Sequence, residues 1–263
     1  MHLPGLRLVM TTRTTLPQHV TNLAGGLSDR SRFNPQMQSA LGRTAGHTSY
    51  FESTLSVLPG LNLPLRSMLV GGEGRQFLIS PVGTADEARQ VTSEPLLVLA
   101  PSLLHHVHVQ QAIERYRPVA LWGPPGFAEK KPELGPVHTF GVDPWPHGEQ
   151  LAFTVVEGAP RRNEVVFFHP ASRTIYTADL VFNIHHADGW LSALALRMMG
   201  IYRRFASARM WKHWVTDRAA FSRSIDQILS WDFDRIVMSH GTPIEGAARE
   251  RLEIALRELG LLD

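Results

Sequence analysis

Three histidines and one aspartate, each set just beyond an apolar run, carry the chemistry most readily read from this chain. His105 and His106 follow Leu96 to Ala100, Asp179 follows Thr174 to Ala178, and His240 follows Arg235 to Ser239. Runs of this kind suit β-strands, and strands bring residues distant in sequence to one edge of a sheet, where imidazole and carboxylate can share a metal ion. With no cysteine in the 263 residues, disulfides, thiolate ligands and a cysteine nucleophile are excluded, which leaves histidine and carboxylate as the strong ligands.

Each of these residues also has a plainer role open to it. His105 and His106 could hydrogen-bond loop backbone, Asp179 could cap a turn, and His240 before Gly241 could stabilise one. His108 is a reserve ligand. His169, His185 and His186 are weaker candidates, for support or substrate contact. Arg173, at a turn after Ser172, could bind an anion or pair structurally.

The elements that must position these groups alternate along the chain. Gly71, Gly72 and Gly74 between Met68 to Val70 and Gln76 to Ile79 predict a hairpin. Leu96 to Ala100, Val109 to Tyr116 and Val119 to Trp122 form a strand, helix, strand series, closed by Gly123, Pro124, Pro125 and Gly126. Ala152 to Val156, Glu164 to Phe168 and Thr174 to Ala178 read as successive strands whose tight turns argue against a purely parallel sheet. Helices are expected around Ser192 to Met199 and over Arg218 to Leu229. A last strand follows at Arg235 to Met238. A closing helix is expected over Ile244 to Leu259, with Thr242 as N-cap, Pro243 at its first position and Glu245 at the third. Residues 1–63 lack a sustained period and are expected to form an irregular arm before a domain spanning 64–263, with a helical insert at about 187–216.

This order resembles the metallo-β-lactamase fold: a strand with histidines, the strand and aspartate of Tyr176-Thr177-Ala178-Asp179-Leu180-Val181-Phe182, and a strand with Ser239-His240-Gly241. More closely, Ala100-Pro101-Ser102-Leu103-Leu104-His105-His106, Pro124-Pro125-Gly126, Glu164 to His169 and Trp231 to Arg235 resemble a bacterial domain-of-unknown-function family whose members share that fold. The resemblance covers roughly residues 64–259 and implies an α/β protein built as an αββα sandwich with mixed sheets. The superfamily's H-x-H-x-D-H motif and its further histidine are not intact. Aligned through the following helix, His105 falls at the motif's aspartate and His106 at its last histidine, with Pro101 and Leu103 at the first two histidines. A second register pairs His106 with His108 and puts Gln110 and Gln111 downstream. The first preserves the helix spacing and is preferred.

On that register one metal position is lost, and His105, His106, Asp179 and His240 hold the other. One divalent ion is expected, zinc before iron or manganese, able to polarise a carbonyl or phosphoryl oxygen and acidify water. The implied activity is hydrolysis of an ester-like or phosphoryl bond in an unidentified small molecule. Four protein ligands would close a tetrahedral zinc, so catalysis requires the coordination to expand or one candidate to stay outside. The competing expectation is a non-catalytic ligand- or partner-binding protein that keeps the fold. A dinucleotide-binding fold is disfavoured because the first strand-to-helix turn lacks G-x-G-x-x-G.

Charge is nearly balanced, at +2 with histidines neutral, which gives no reason to expect nucleic-acid binding. Arg7 and Arg13 interrupt the opening apolar stretches, unlike a secretory signal, and no run is long and apolar enough to span a bilayer; a cytoplasmic location is expected. Trp190 to Trp214 mixes large apolar residues with Arg197, Arg203, Arg204, Arg209 and Lys212. It could pack on the domain, form a lid, bind a partner or lie against a membrane surface.

Overall fold

The computed structural model describes residues 47–58, 61–72 and 74–262. Strand pairing begins with a long hairpin of β1 (His47–Leu58) and β2 (Leu61–Gly72), antiparallel with Thr48 opposite Val70 and Thr54 opposite Pro64. Strand β3 (Arg75–Ile79) returns antiparallel, and β4 (Leu96–Leu99), β5 (Ala120–Gly123) and β6 (His138–Thr139) then add in parallel. Helices α1 (Ala85–Gln90), α2 (Val109–Tyr116) and the short α3 (Phe127–Lys130) accompany this first sheet. Of the irregular arm expected over 1–63, residues 1–46 lie outside the described residues, and His47–Leu58 and the start of Leu61–Gly72 are strand instead, because each has the other as an antiparallel partner.

The second sheet runs β13-β12-β9-β8-β7. Strands β7 (Ala152–Val155), β8 (Val165–His169) and β9 (Thr174–Thr177) form an antiparallel meander, β12 (Arg235–Met238) joins β9 in parallel, and β13 (Ile244–Glu245) closes the edge. Between β9 and β12 come the small pair β10 (Phe182–Asn183) and β11 (Phe205–Ala206) and the helices α4 (Gly189–Met199), α5 (Trp211–Trp214) and α6 (Arg218–Leu229). Helix α7 (Ala248–Glu258) follows β13.

Period-two alternation decides which side chain enters which layer. Phe77, Ile79, Leu97 and Leu99 of the first sheet meet Val165, Phe167, Tyr176 and Val237 of the second in one apolar cluster. The intervening Leu78, Leu96 and Val98 face Val109 and Ala112 of α2, while Val166, Phe168, Ile175, Ile236 and Met238 face Phe221, Ile225 and Ile228 of α6 and Leu252 and Leu256 of α7. The result is the αββα sandwich with mixed sheets. Both sheet faces are buried, which is why these strands read as continuous apolar runs.

One expected element is corrected. The helix placed at Ile244 starts instead at Ala248, because Ile244 and Glu245 pair with Ile236 and Arg235. The capping pattern at Thr242 is a local signal, overruled by the need of β12 for an edge partner. Among the described residues, no helix is long and apolar enough to cross a membrane.

Candidate metal centre

Parallel pairing of β9 and β12 puts their carboxyl ends on the same edge. Thr177 lies opposite Met238, so Asp179 and His240, each two residues further on, leave the sheet side by side. His105 reaches them from the loop after β4. One ligand atom from each of His105, Asp179 and His240 lies within 4.8 Å of the others. His105 Nε2 is 3.6 Å from Asp179 Oδ2, and His240 Nε2 is 3.4 Å from Asp179 Oδ1.

The surrounding structure fixes each of the three. Glu164, fully buried at the base of β8, accepts the amides of Ala178 (2.8 Å) and Leu180 (3.1 Å) on Oε1 and that of Asp179 (2.9 Å) on Oε2. Trp211 Nε1 donates to the Asp179 carbonyl at 2.8 Å. After His240 the chain turns at Gly241, with φ +109°, where a Cβ would stand 2.2 Å from the Asn183 carbonyl oxygen. His240 Nδ1 lies 2.6 Å from the Pro64 carbonyl, and its ring stacks on Phe182 at 5.4 Å between centroids. His105 Nδ1 lies 3.0 Å from Ser80 Oγ and 3.3 Å from Ser239 Oγ.

Electrostatics follow from this packing. Burial alone would raise the Asp179 carboxyl, but hydrogen bonds and charge from His105 and His240 outweigh it and hold the group well below the usual carboxylate range. Burial, ahead of all other effects, lowers His105. Glu164 is pushed up to about 8 by burial and then by the Asp179 charge, against the pull of the three amides.

The donor set fits a metal. A carbonyl can only accept, so the Pro64 contact places hydrogen on Nδ1 of His240 and leaves Nε2 to face the Asp179 carboxylate. His240 Nε2 and Asp179 Oδ1 are 3.4 Å apart, a gap that a proton on Nε2 bridges at low pH and that a metal ion taking the proton's place would also bridge. A feature of the opposite sense lies alongside. Arg162 donates from Nη1 to Asp179 Oδ2 at 3.3 Å, with its guanidinium 3.4 Å from the Trp214 ring centroid.

The structure does not bring His106 to the cluster. Its side chain lines the adjoining cavity, where burial, followed by the charges of Lys131 and Lys130, lowers it to about 4. His108 precedes α2 with Nδ1 3.2 Å from Gln111 Oε1. His169 is buried beyond the other end of β9, 2.7 Å from Ser172 Oγ, and His185 contacts Asn183. His186 lines a separate cleft with Asp188. Arg173 pairs with Asp232 and Asp234, a structural role. Sequence reading missed Arg162 and Ser80 as site residues and Glu164 as a support. A glutamate opening the apolar run Glu164 to Phe168 was the one available signal, since a buried carboxylate demands partners.

No family model matches the chain, and no curated protein matches it. Solved structures do. DIM-1 metallo-β-lactamase exposed to ceftazidime aligns with TM-score 0.54 at 12% identity over 80% of this chain and 93% of that one. The metallo-β-lactamase from Pontibacter korlensis aligns with TM-score 0.52 at 16% identity, covering 82% and 94%. The metal-soaked Flv1 flavodiiron core from Synechocystis sp. PCC6803 gives 0.54 at 12% identity, covering 81% of this chain and 59% of that one. Layer order, strand pairing and these alignments together give the conclusion that this chain has the metallo-β-lactamase fold.

Proposed function

We propose that the protein is a metal-dependent hydrolase with a single divalent ion, zinc before iron or manganese, held by His105, Asp179 and His240. The observation that carries this reading is the convergence of one ligand atom each from His105, Asp179 and His240 within 4.8 Å, with His240 Nε2 turned to the Asp179 carboxylate while Pro64 engages Nδ1. With His106 outside the set, three protein ligands leave a coordination position for water or substrate, as catalytic zinc sites require. A bound ion would supply Lewis acidity, polarising a carbonyl or phosphoryl oxygen and acidifying water. The chain's own residues supply position. Glu164 holds the Asp179 loop, Ser80 and Ser239 orient His105, and Arg162 offers donors to a substrate oxygen.

Elemental mass spectrometry of protein purified without chelator tests this. About one metal per chain is expected, retained in His106→Ala and lost in Asp179→Asn and His240→Ala with their folds intact. No metal after reconstitution would sink the reading.

The Arg162 bond to Asp179 favours a second reading, a metal-free ligand-binding protein in which that ion pair is permanent. Metal content and an ester and phosphoester screen separate the two.

The insert suggests a partner as well. Trp190, Leu191, Leu194 and Met198 are exposed along α4, and Arg203, Arg209 and Lys212 are exposed beside it, a pattern complementary to an anionic lipid surface. Sedimentation with phosphatidylserine vesicles should carry the wild type down and leave Trp190→Asp in solution. Equal recovery of both in solution would end this proposal.

A further inference from the structure

Beside the three converging ligands lies a cavity of about 370 Å³, within the range that holds a small molecule. Leu55, Leu63, Leu65, Phe182, Met199 and Met210 supply much of its wall, and His105, Asp179, His240 and Arg162 supply its polar part. At roughly 30 Å³ per heavy atom in a liquid, the space suits about a dozen such atoms. A purely polar substrate would leave the leucine and methionine wall uncovered, so the walls select a ligand with an apolar body.

The polar part selects its head. Arg162 is 8% exposed, yet among the described residues its guanidinium makes one hydrogen bond, the 3.3 Å contact to Asp179. A guanidinium has five N–H donors in a rigid fork, and buried donors seek acceptors. Trp214 fixes the guanidinium from one side through the close ring contact. An oxyanion that can take two parallel N–H bonds, a carboxylate or a phosphate, matches the fork best.

We infer that the ligand of this cavity is an anionic amphiphile, an acyl-type chain of about ten carbons ending in a carboxylate or phosphate held by Arg162. The inference rests on the reading that this cleft is the functional site, but it does not require the metal.

Binding of decanoate, decyl phosphate, decanol and butyrate to metal-free full-length protein, followed by calorimetry, tests it. Decanoate or decyl phosphate should saturate the protein with affinity about tenfold or more above decanol, the scale of one charge-assisted hydrogen bond. Which anion binds more tightly identifies the head group. Arg162→Met should bring the anions down to the level of decanol and leave decanol unchanged. Arg162→Lys, which keeps the charge and loses the fork, should retain part of the preference and serves if the methionine variant misfolds. Leu104→Glu, at an exposed position on the cavity wall, should weaken decanoate and decyl phosphate. Decanol binding as tightly as both anions, butyrate as tightly as decanoate, or no saturable binding of either ten-carbon anion would overturn the inference. Because metal is absent throughout, these failures are distinct from failure of the metal reading, which elemental analysis reports.

Discussion

Each half of the sandwich sets one buried glutamate behind the loop that faces the centre, and the two are used differently. In the first half Glu87 accepts Val82 and Gly83 amides at 2.9 and 3.2 Å and the hydroxyls of Ser67 and Tyr116 at 2.8 and 3.1 Å. In the second, Glu164 takes three consecutive amides and no hydroxyl. Hydroxyls rotate to new partners when one is removed, and amides in a fixed loop do not. The loop after β9 is therefore the more rigidly posed, and it carries Asp179. The loop after β3 contributes only Ser80, one step behind His105. The difference locates the preorganised part of the centre in the second sheet.

Removing each glutamate should break this contrast most visibly. Glu164→Leu orphans three amides and should cost about 3 kcal/mol or more, whereas Glu87→Leu orphans two and should cost about 2 kcal/mol, read from denaturation midpoints. Metal uptake by folded protein should vanish in the first and persist in the second. Equal loss in both would dissolve the distinction.

Glutamine at position 164 sharpens the point through pH. The folded Glu164 holds its proton up to about 8, and the unfolded chain releases it near 4.5, so the folded state binds more protons between those values. Relative to Glu164→Gln, the wild type should lose stability as pH rises through that window, and the gap should be constant above it. A gap independent of pH would show that Glu164 is ionised throughout.

The glycines offer a matched pair. An added Cβ at Gly241 would stand 2.2 Å from the carbonyl oxygen of Asn183, which is backbone, with φ at +109°. At Gly83 the atom met at 2.2 Å is Oε1 of Gln111, the end of a flexible side chain, with φ at +69°. Gly241→Ala should cost about 3 kcal/mol or more from strain and overlap together, and Gly83→Ala about 1–2 kcal/mol from conformation alone. Thermal unfolding orders them.

Much of this architecture was legible in the sequence because burial on both faces leaves strong signals. Val109 to Tyr116, Arg218 to Leu229 and Arg235 to Met238 match their elements residue for residue. The alternation of β1 and β2 was obscured by Pro64, Asn62 and a run of serines and threonines. At Thr242 a genuine capping pattern lost to sheet pairing. The centre was legible where a residue ends an apolar strand, as with Asp179 and His240. His106 drew attention by standing next to His105, yet proximity in the chain does not decide where a side chain points. Arg162 left no trace, because its role comes from a loop meeting Asp179 and Trp214 across the fold.

The smallest effect is expected at Ser80, the first half's support behind His105. Ser80 holds a left-handed backbone, φ 53°, which costs a non-glycine residue about 1–2 kcal/mol. Glycine would relieve that strain but would lose the hydroxyl 3.0 Å from His105 Nδ1. Ser80→Gly should therefore be at least as stable as the wild type in thermal unfolding, while its metal affinity, measured by chelator competition, falls by about tenfold, the low end for partners of a ligand histidine. Ser239 Oγ, 3.3 Å from the same nitrogen, limits the loss. Unchanged affinity would assign the orientation of His105 to Ser239, leaving Pro64 as the first sheet's support for the centre.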